Sequence, residues 1–243
     1  MQVTLPELPR RLASEFVGTA FLLATVVGSG IMAEALSQGI VALALLANTL
    51  ATGAGLIALI LAFGPISGAH FNPAVTLADA AMGGLPWRVV PTYVLAQLAG
   101  AFAGVAAAHA MFGMAVFSAS THVRAGGAQA FSEAVATFGL LAVIWGVSRR
   151  RSEAVPFAVG AYIMAAYWFT ASTSFANPAV TLARSATDTF AGIRPMDAPA
   201  FVVAQLAGAL AATAFFRWLV PPRSARAPEV AVTHASAASE GLR

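Results

Sequence analysis

The residues of this chain best suited to chemistry come in matched pairs. Two Asn-Pro-Ala tripeptides, Asn72-Pro73-Ala74 and Asn177-Pro178-Ala179, open the same string NPAVTLA, and two glutamates, Glu15 and Glu133, open the related strings EFVGTAFLLA and EAVATFGLLA. Asn favours helix N-caps and Pro the first helical position, so each NPAVTLA reads as the start of a short helix. Each Asn amide can also offer N–H donors to a passing oxygen. The glutamates could relay protons, or they could accept backbone N–H groups left unpaired ahead of each short helix. The second reading, with Gln97 and Gln205 as helpers, makes them scaffold. No nucleophile and base pair, phosphate loop or metal cluster stands out, so no catalytic, metal or cofactor residue is assigned. The absence of cysteine excludes disulfides and thiolate metal sites.

The elements that must position these residues belong in lipid. Of 243 residues 9% are charged and 59% hydrophobic, against about 25% charged in an ordinary soluble domain. Apolar stretches at Leu12 to Ala33, Ile40 to Phe63, Val89 to Phe112, Ala128 to Val147, Val155 to Thr173 and Ala198 to Val220 each approach the roughly 20 residues that a helical span needs. The leading MQVTLPELPRR lacks the pattern of a removable signal peptide, so the first span is expected to stay. A sequence pI of 10.2 invites a nucleic-acid reading until the arginines are placed. With the N-terminus inside, ten arginines lie on inner segments and only Arg124, Arg184 and Arg194 lie outside, which satisfies the positive-inside rule. The Arg149 to Arg151 run is then a topology signal in a short loop, and no nucleic acid is expected as a partner.

The chain contains itself twice. Ser14, His70 and Tyr93 begin blocks that reappear at Ser132, Phe175 and Phe201. Each half therefore holds three spans and one NPA segment, and an odd number of spans forces the second copy to enter from the opposite side. Each NPA segment is too short and too broken to cross alone, so it is expected to be re-entrant and to border water. Asn72 and Asn177 should then face each other near the midplane with two positive helix ends converging, a geometry that repels cations and protons. Gly100 with Gly104, and Gly208 with Ala212, are small residues four apart that allow close helix crossing. His70, two residues before Asn72, can offer a ring nitrogen to the same path, and His109 is left without a role.

The doubled NPA, the Glu15-Phe16-x-Gly18-Thr19 of the first span and the Gln97-x-x-Gly100 of the third resemble the aquaporins and aquaglyceroporins over roughly residues 10 to 220. The resemblance implies an all-α integral membrane fold of six transmembrane helices plus two re-entrant half-helices in an inverted repeat. Its expected divisions are a cytoplasmic segment 1–11, a first repeat 12–112, an outer loop 113–127, a second repeat 128–220 and a disordered cytoplasmic tail 221–243. It also implies a homotetramer in lipid, multi-pass in a bacterial inner (plasma) membrane with both termini cytoplasmic, and a channel rather than an enzyme, passing small neutral solutes.

The resemblance further implies a second constriction, outward of the asparagines. Counting along the chain assigns it Thr52, Ala165, Ser174 and Val180. The last position is usually Arg, and water-selective relatives resemble Phe, His, Thr and Arg across the set. The set here is smaller and uncharged, which should widen the pore and lower the desolvation cost for solutes with apolar parts. Arg184 stands one turn beyond Val180, about 6 Å further outward, and its repeat counterpart is Asp79. These two are read as a mouth pair, with headgroup or loop contact as the alternative. Val180 in place of Arg, together with Thr52, resembles a bacterial subgroup associated with arsenic-resistance gene clusters, which implies arsenous acid and methylated arsenicals beside glycerol and water. A proton-coupled transporter would also show inverted repeats, but the neutral Asn72 and Asn177 offer nothing titratable at the centre.

Overall fold

Proline placement divides the chain into its helices. In the computed structural model, which describes residues 7–220, α1 runs Leu8–Leu36, α2 Val41–Ser67, α3 Pro73–Ala81, α4 Val90–Met111, α5 Gly127–Ser148, α6 Val155–Phe169, α7 Pro178–Arg184 and α8 Ala198–Leu219. All but α2 and α5 carry proline in the first turn, where its missing N–H would have been unpaired anyway. Short 3-10 turns at Trp87–Val89, Ser152–Ala154 and Pro195–Asp197 lead into α4, α6 and α8. Among the described residues the fold is all-helical, and the segments 1–6 and 221–243, including the expected tail, lie outside them.

Five of the helices are long and apolar enough to cross a bilayer. The expected fifth span, Val155 to Thr173, departs from this: α6 has 15 residues and stops at Phe169. Thr170 turns extended (φ −106°, ψ 141°), and Thr173, Ser174 and Ala176 take positive φ. The helix covers about 22 Å at 1.5 Å per residue. Its 3-10 lead, Ser152–Ala154, adds to its length at the terminal end, and beyond Thr170 the chain turns back to reach Asn177, whose amide meets Phe71 O. Six crossings return the end of α8 to the side on which α1 begins, called here the terminal face. The opposite side carries loops 112–126 and 185–194 and is called the loop face.

The packing repeats as the sequence does. α1 packs on α4 and α2 as α5 packs on α8 and α6, while α2 against α6 forms the seam between the halves. The half-helices cross that seam: α3 touches α4 and α8, and α7 touches the same two. Gly100 and Gly208 make the close approaches possible. A Cβ at Gly100 would strike the Phe16 carbonyl of α1, and one at Gly208 the Ala134 carbonyl of α5. Gly104 meets the Ala20 carbonyl in the same way, so backbone meets backbone along both crossings.

Candidate functional site

Each short helix is held by the same construction. Asn72 Oδ1 accepts Ala74 N–H at 2.9 Å, and Asn177 Oδ1 accepts Ala179 N–H at 3.0 Å. Ahead of each Asn three residues take positive φ, Gly68, Ala69 and Phe71 in the first segment and Thr173, Ser174 and Ala176 in the second. Such backbone can form no helical ladder, so its N–H groups need outside acceptors. Glu15 supplies them from α1: Oε1 accepts His70 N–H at 3.0 Å and Oε2 accepts Phe71 N–H at 2.7 Å. Glu133 does the same from α5, for Phe175 and Ala176 N–H, both at 2.8 Å. Both glutamates are fully buried, and the donors they meet are the compensation a buried carboxylate needs.

Gln97 and Gln205 complete the two sets. Gln97 Nε2 donates to Glu15 (2.8 Å) and to Thr76 Oγ1 (2.9 Å); Gln205 Nε2 donates to Glu133 (2.6 Å) and Thr181 Oγ1 (2.8 Å). Each threonine passes its own proton to the carbonyl of its motif Asn. The two motifs then interlock, because Asn72 Nδ2 donates to Ala176 O and Asn177 Nδ2 donates to Phe71 O, both at 2.7 Å. The amide protons are thus tied across the seam, with one N–H of each amide remaining for the path.

That path is a cavity of about 800 Å³ that includes both asparagines in its wall. Leu22, Leu56, Leu140 and Val159, from α1, α2, α5 and α6, give it an apolar side. Toward the terminal face it is bordered by Arg11, His70, Asp79 and Glu153, and toward the loop face by Thr52, Tyr167, Ser174, Phe175, Val180 and Arg184. Three of the four residues assigned to the constriction therefore border it. Ala165 does not: it lies on the exposed face of α6, half a turn round from Ile163 and Tyr167, which border the cavity. Counting along the chain without fixing the helical phase misplaced it. Tyr167 borders the cavity instead, its OH donating to Thr52 Oγ1 at 3.3 Å. The buried i, i+4 series Val159, Ile163, Tyr167 was the available signal.

The charged pair divides between the ends. Arg184 is 2% exposed. Its Nε donates to Ala191 O, and its guanidinium lies 3.4 Å above the Phe175 ring centre. Asp79 sits at the other end with Oδ2 3.6 Å from His70 Nε2. His70 is otherwise tied to Thr76 Oγ1 through Nδ1 (3.1 Å) and lies against Tyr93.

Two residues without a sequence-based role shape the loop face. Arg124 is buried; its Nε donates to Gly192 O at 2.8 Å and its Nη1 to Ser172 O at 3.2 Å, tying the long loop to the re-entrant chain. Burial pulls its guanidinium down to about 10, so it stays charged at neutral pH. His109, fully buried, reaches the carbonyls of Ala115 and Val116 and the Thr187 hydroxyl. It is a strut between two loops. Asp188 accepts the backbone N–H and hydroxyl of Thr121, which hold its carboxyl below the usual range.

Known proteins are similar to this chain in sequence and in fold. A model of the family described as Major intrinsic protein matches residues 2–174 and 151–242. The chain is 58% identical over 216 residues to aquaglyceroporin AqpS of Rhizobium meliloti (strain 1021), covering 89% of this chain and 92% of that one. It is 39% identical over 137 residues to aquaporin NIP1-3 of Oryza sativa subsp. japonica, covering 54% of this chain and 48% of that one. In fold, the X-ray structure of the aquaglyceroporin from Plasmodium falciparum superposes with a TM-score of 0.68 at 23% identity, over 86% of this chain and 96% of that one. A multi-pass helical bundle with paired NPA half-helices, a matching family model and these relatives together make the chain a member of the major intrinsic protein family, the aquaporins.

Proposed function

We propose that the chain is a passive channel for small uncharged solutes: glycerol-like polyols, arsenous acid, methylated arsenicals and water, with protons and ions excluded. The observation that carries this reading is the wall of the loop-face constriction. Val180 stands where a guanidinium would narrow the path, and Thr52, Ser174 and Tyr167 give it hydroxyls beside apolar surface. A solute with both hydroxyl and carbon faces loses less on entering such a wall than on entering a wholly polar ring. Exclusion of cations rests on the opposed starts of α3 and α7, on Asn72 and Asn177, which are neutral donors, and on the positive charge of Arg184 beside the same cavity. The name of the AqpS relative supports the aquaglyceroporin class.

The wider setting belongs to the same proposal: a homotetramer in a bacterial plasma membrane, terminal face inward and loop face outward, with no enzymatic activity. Glu15 and Glu133 spend their oxygens on backbone and glutamine donors, which favours a channel over a proton-coupled transporter. Stopped-flow flux in proteoliposomes tests the reading. Glycerol and arsenite should enter without saturation and independently of any imposed proton gradient. Free water flux with neither larger solute passing would make the chain a water-selective aquaporin, and flux that follows a proton gradient would make it a transporter.

A further inference from the structure

Arg184 holds a guanidinium that the protein itself does not satisfy. The side chain is fixed from two sides, by the bond from Nε to Ala191 O and by the Phe175 ring beneath it. Phe175 is in turn fixed, through its backbone N–H on Glu133 and its edge contact with Phe201 at 5.2 Å. Among the described residues no carboxylate lies within ion-pair distance of Arg184, and neither Nη group has a protein acceptor there. Nor are those Nη atoms sealed off. They are absent from the buried polar atoms without a partner, while the residue borders the cavity. A guanidinium largely removed from bulk water and lacking a counter-ion is costly unless its donors are met. Here they can be met only by what occupies the cavity.

The contrast with Arg124 shows that this is a property of one residue. Arg124 also lies over Phe175, at 5.1 Å, but its donors are taken up by Gly192 O, Ser172 O and the Thr173 hydroxyl, and it does not border the cavity.

Resting on the channel reading above, we infer that Arg184 is the specificity-determining donor of the pore, its two Nη groups taking solutes that present two oxygen acceptors side by side. Vicinal hydroxyls of a polyol and the hydroxyls of arsenous acid fit a rigid planar fork; a solute with one acceptor, such as urea, fits half of it. Because Arg184 lies one turn beyond Val180, width and recognition are set at separate levels of the path. Val180, Thr52 and Tyr167 fix the bore, while Arg184 replaces the water that a hydroxyl pair sheds before entering it.

The experiment compares wild type, Arg184→Gln and Arg184→Lys in proteoliposomes, after detergent chromatography has shown that each variant assembles. Glycerol, arsenite, urea, water and ammonium-ion flux are read. Arg184→Gln is expected to lower glycerol and arsenite flux about tenfold relative to urea and water, and to admit ammonium ion. Arg184→Lys keeps the charge without the fork, so it should exclude ammonium ion yet retain the loss of preference for glycerol. If Arg184→Gln fails to assemble, the lysine variant carries the test alone. An unchanged glycerol to urea ratio in an assembled variant overturns the inference. So does an equal fall for every solute, which would make Arg184 a strut for Ala191. Wild type that passes no polyol or arsenite refutes the reading of the pore as one for solutes larger than water, and the inference with it.

Discussion

The two re-entrant segments are built alike where they are supported and differently where they meet solvent. Glu15 and Glu133 bind equivalent N–H groups, Gln97 and Gln205 make equivalent pairs of bonds, and the two Asn side chains reach across to equivalent carbonyls at the same 2.7 Å. At the ends the equivalence fails. Toward the terminal face an imidazole, His70, stands beside a carboxylate, Asp79; at the corresponding places toward the loop face a phenyl ring, Phe175, lies beneath a guanidinium, Arg184. The buried carboxylates and their donors form a network in which a lost partner leaves an unpaired polar group in a dry interior, so both copies keep it. The ends touch the cavity, where a changed side chain alters what is met without stranding a buried donor. Selectivity can therefore be written there at low cost to folding.

The largest effect should come from breaking the shared part unequally. Glu15 accepts four donors, including the Ser67 hydroxyl at 2.6 Å. Glu133 accepts three, and its segment has further ties through Arg124 and Gln129. Glu15→Ala should thus cost more than Glu133→Ala. Both should lose about 3 kcal/mol or more, at 1 to 3 kcal/mol for each buried donor left unpaired. Thermal unfolding in detergent reads the order, and a larger loss in Glu133→Ala would show that the extra ties do not support the second segment.

A smaller effect sharpens the equivalence at the centre. Asn72→Asp and Asn177→Asp each turn a 2.7 Å N–H to carbonyl bond into an approach of two oxygens, and each offsets the positive helix end. Either substitution should open a cation leak where wild type shows none, and the two leaks should be of similar size. Liposome conductance with a leak in one variant alone would mean that the centre is not twofold in function.

The shared parts were also the legible ones. The repeat located both half-helices and both scaffold carboxylates, because motif and offset constrain them twice over. The constriction was less legible. Ala165 was assigned by counting, but a one-residue or two-residue error turns a helical side chain from cavity to lipid, and Tyr167 emerged only once α6 had a phase. The partnership of Arg184 with Phe175 spans nine positions and forms because the re-entrant loop folds back onto α7, which no periodicity encodes. Arg124 counted in the sequence only as one of three arginines placed outside. Its burial depends on loop 112–126 lying against 185–194, through bonds such as Ser118 N–H to Ala186 O at 3.0 Å. That pairing has no local signature.

The smallest structural change bears most directly on the central claim, that an uncharged bore at the loop face admits neutral solutes larger than water. Val180 borders the cavity from α7, where a longer side chain would project into the path. Val180→Arg adds a second guanidinium one turn from Arg184, narrowing the bore while leaving the scaffold untouched, and an arginine lining an aqueous path can stay hydrated. The measurement is the ratio of glycerol and arsenite flux to water flux for Val180→Arg against wild type, in proteoliposomes matched for assembled protein. The account predicts that both larger solutes fall at least about tenfold relative to water, the bulk of the arginine adding about 1.4 kcal/mol or more to their barrier. Wild-type flux for every solute in an assembled Val180→Arg protein would contradict it, because position 180 would then not bound the path.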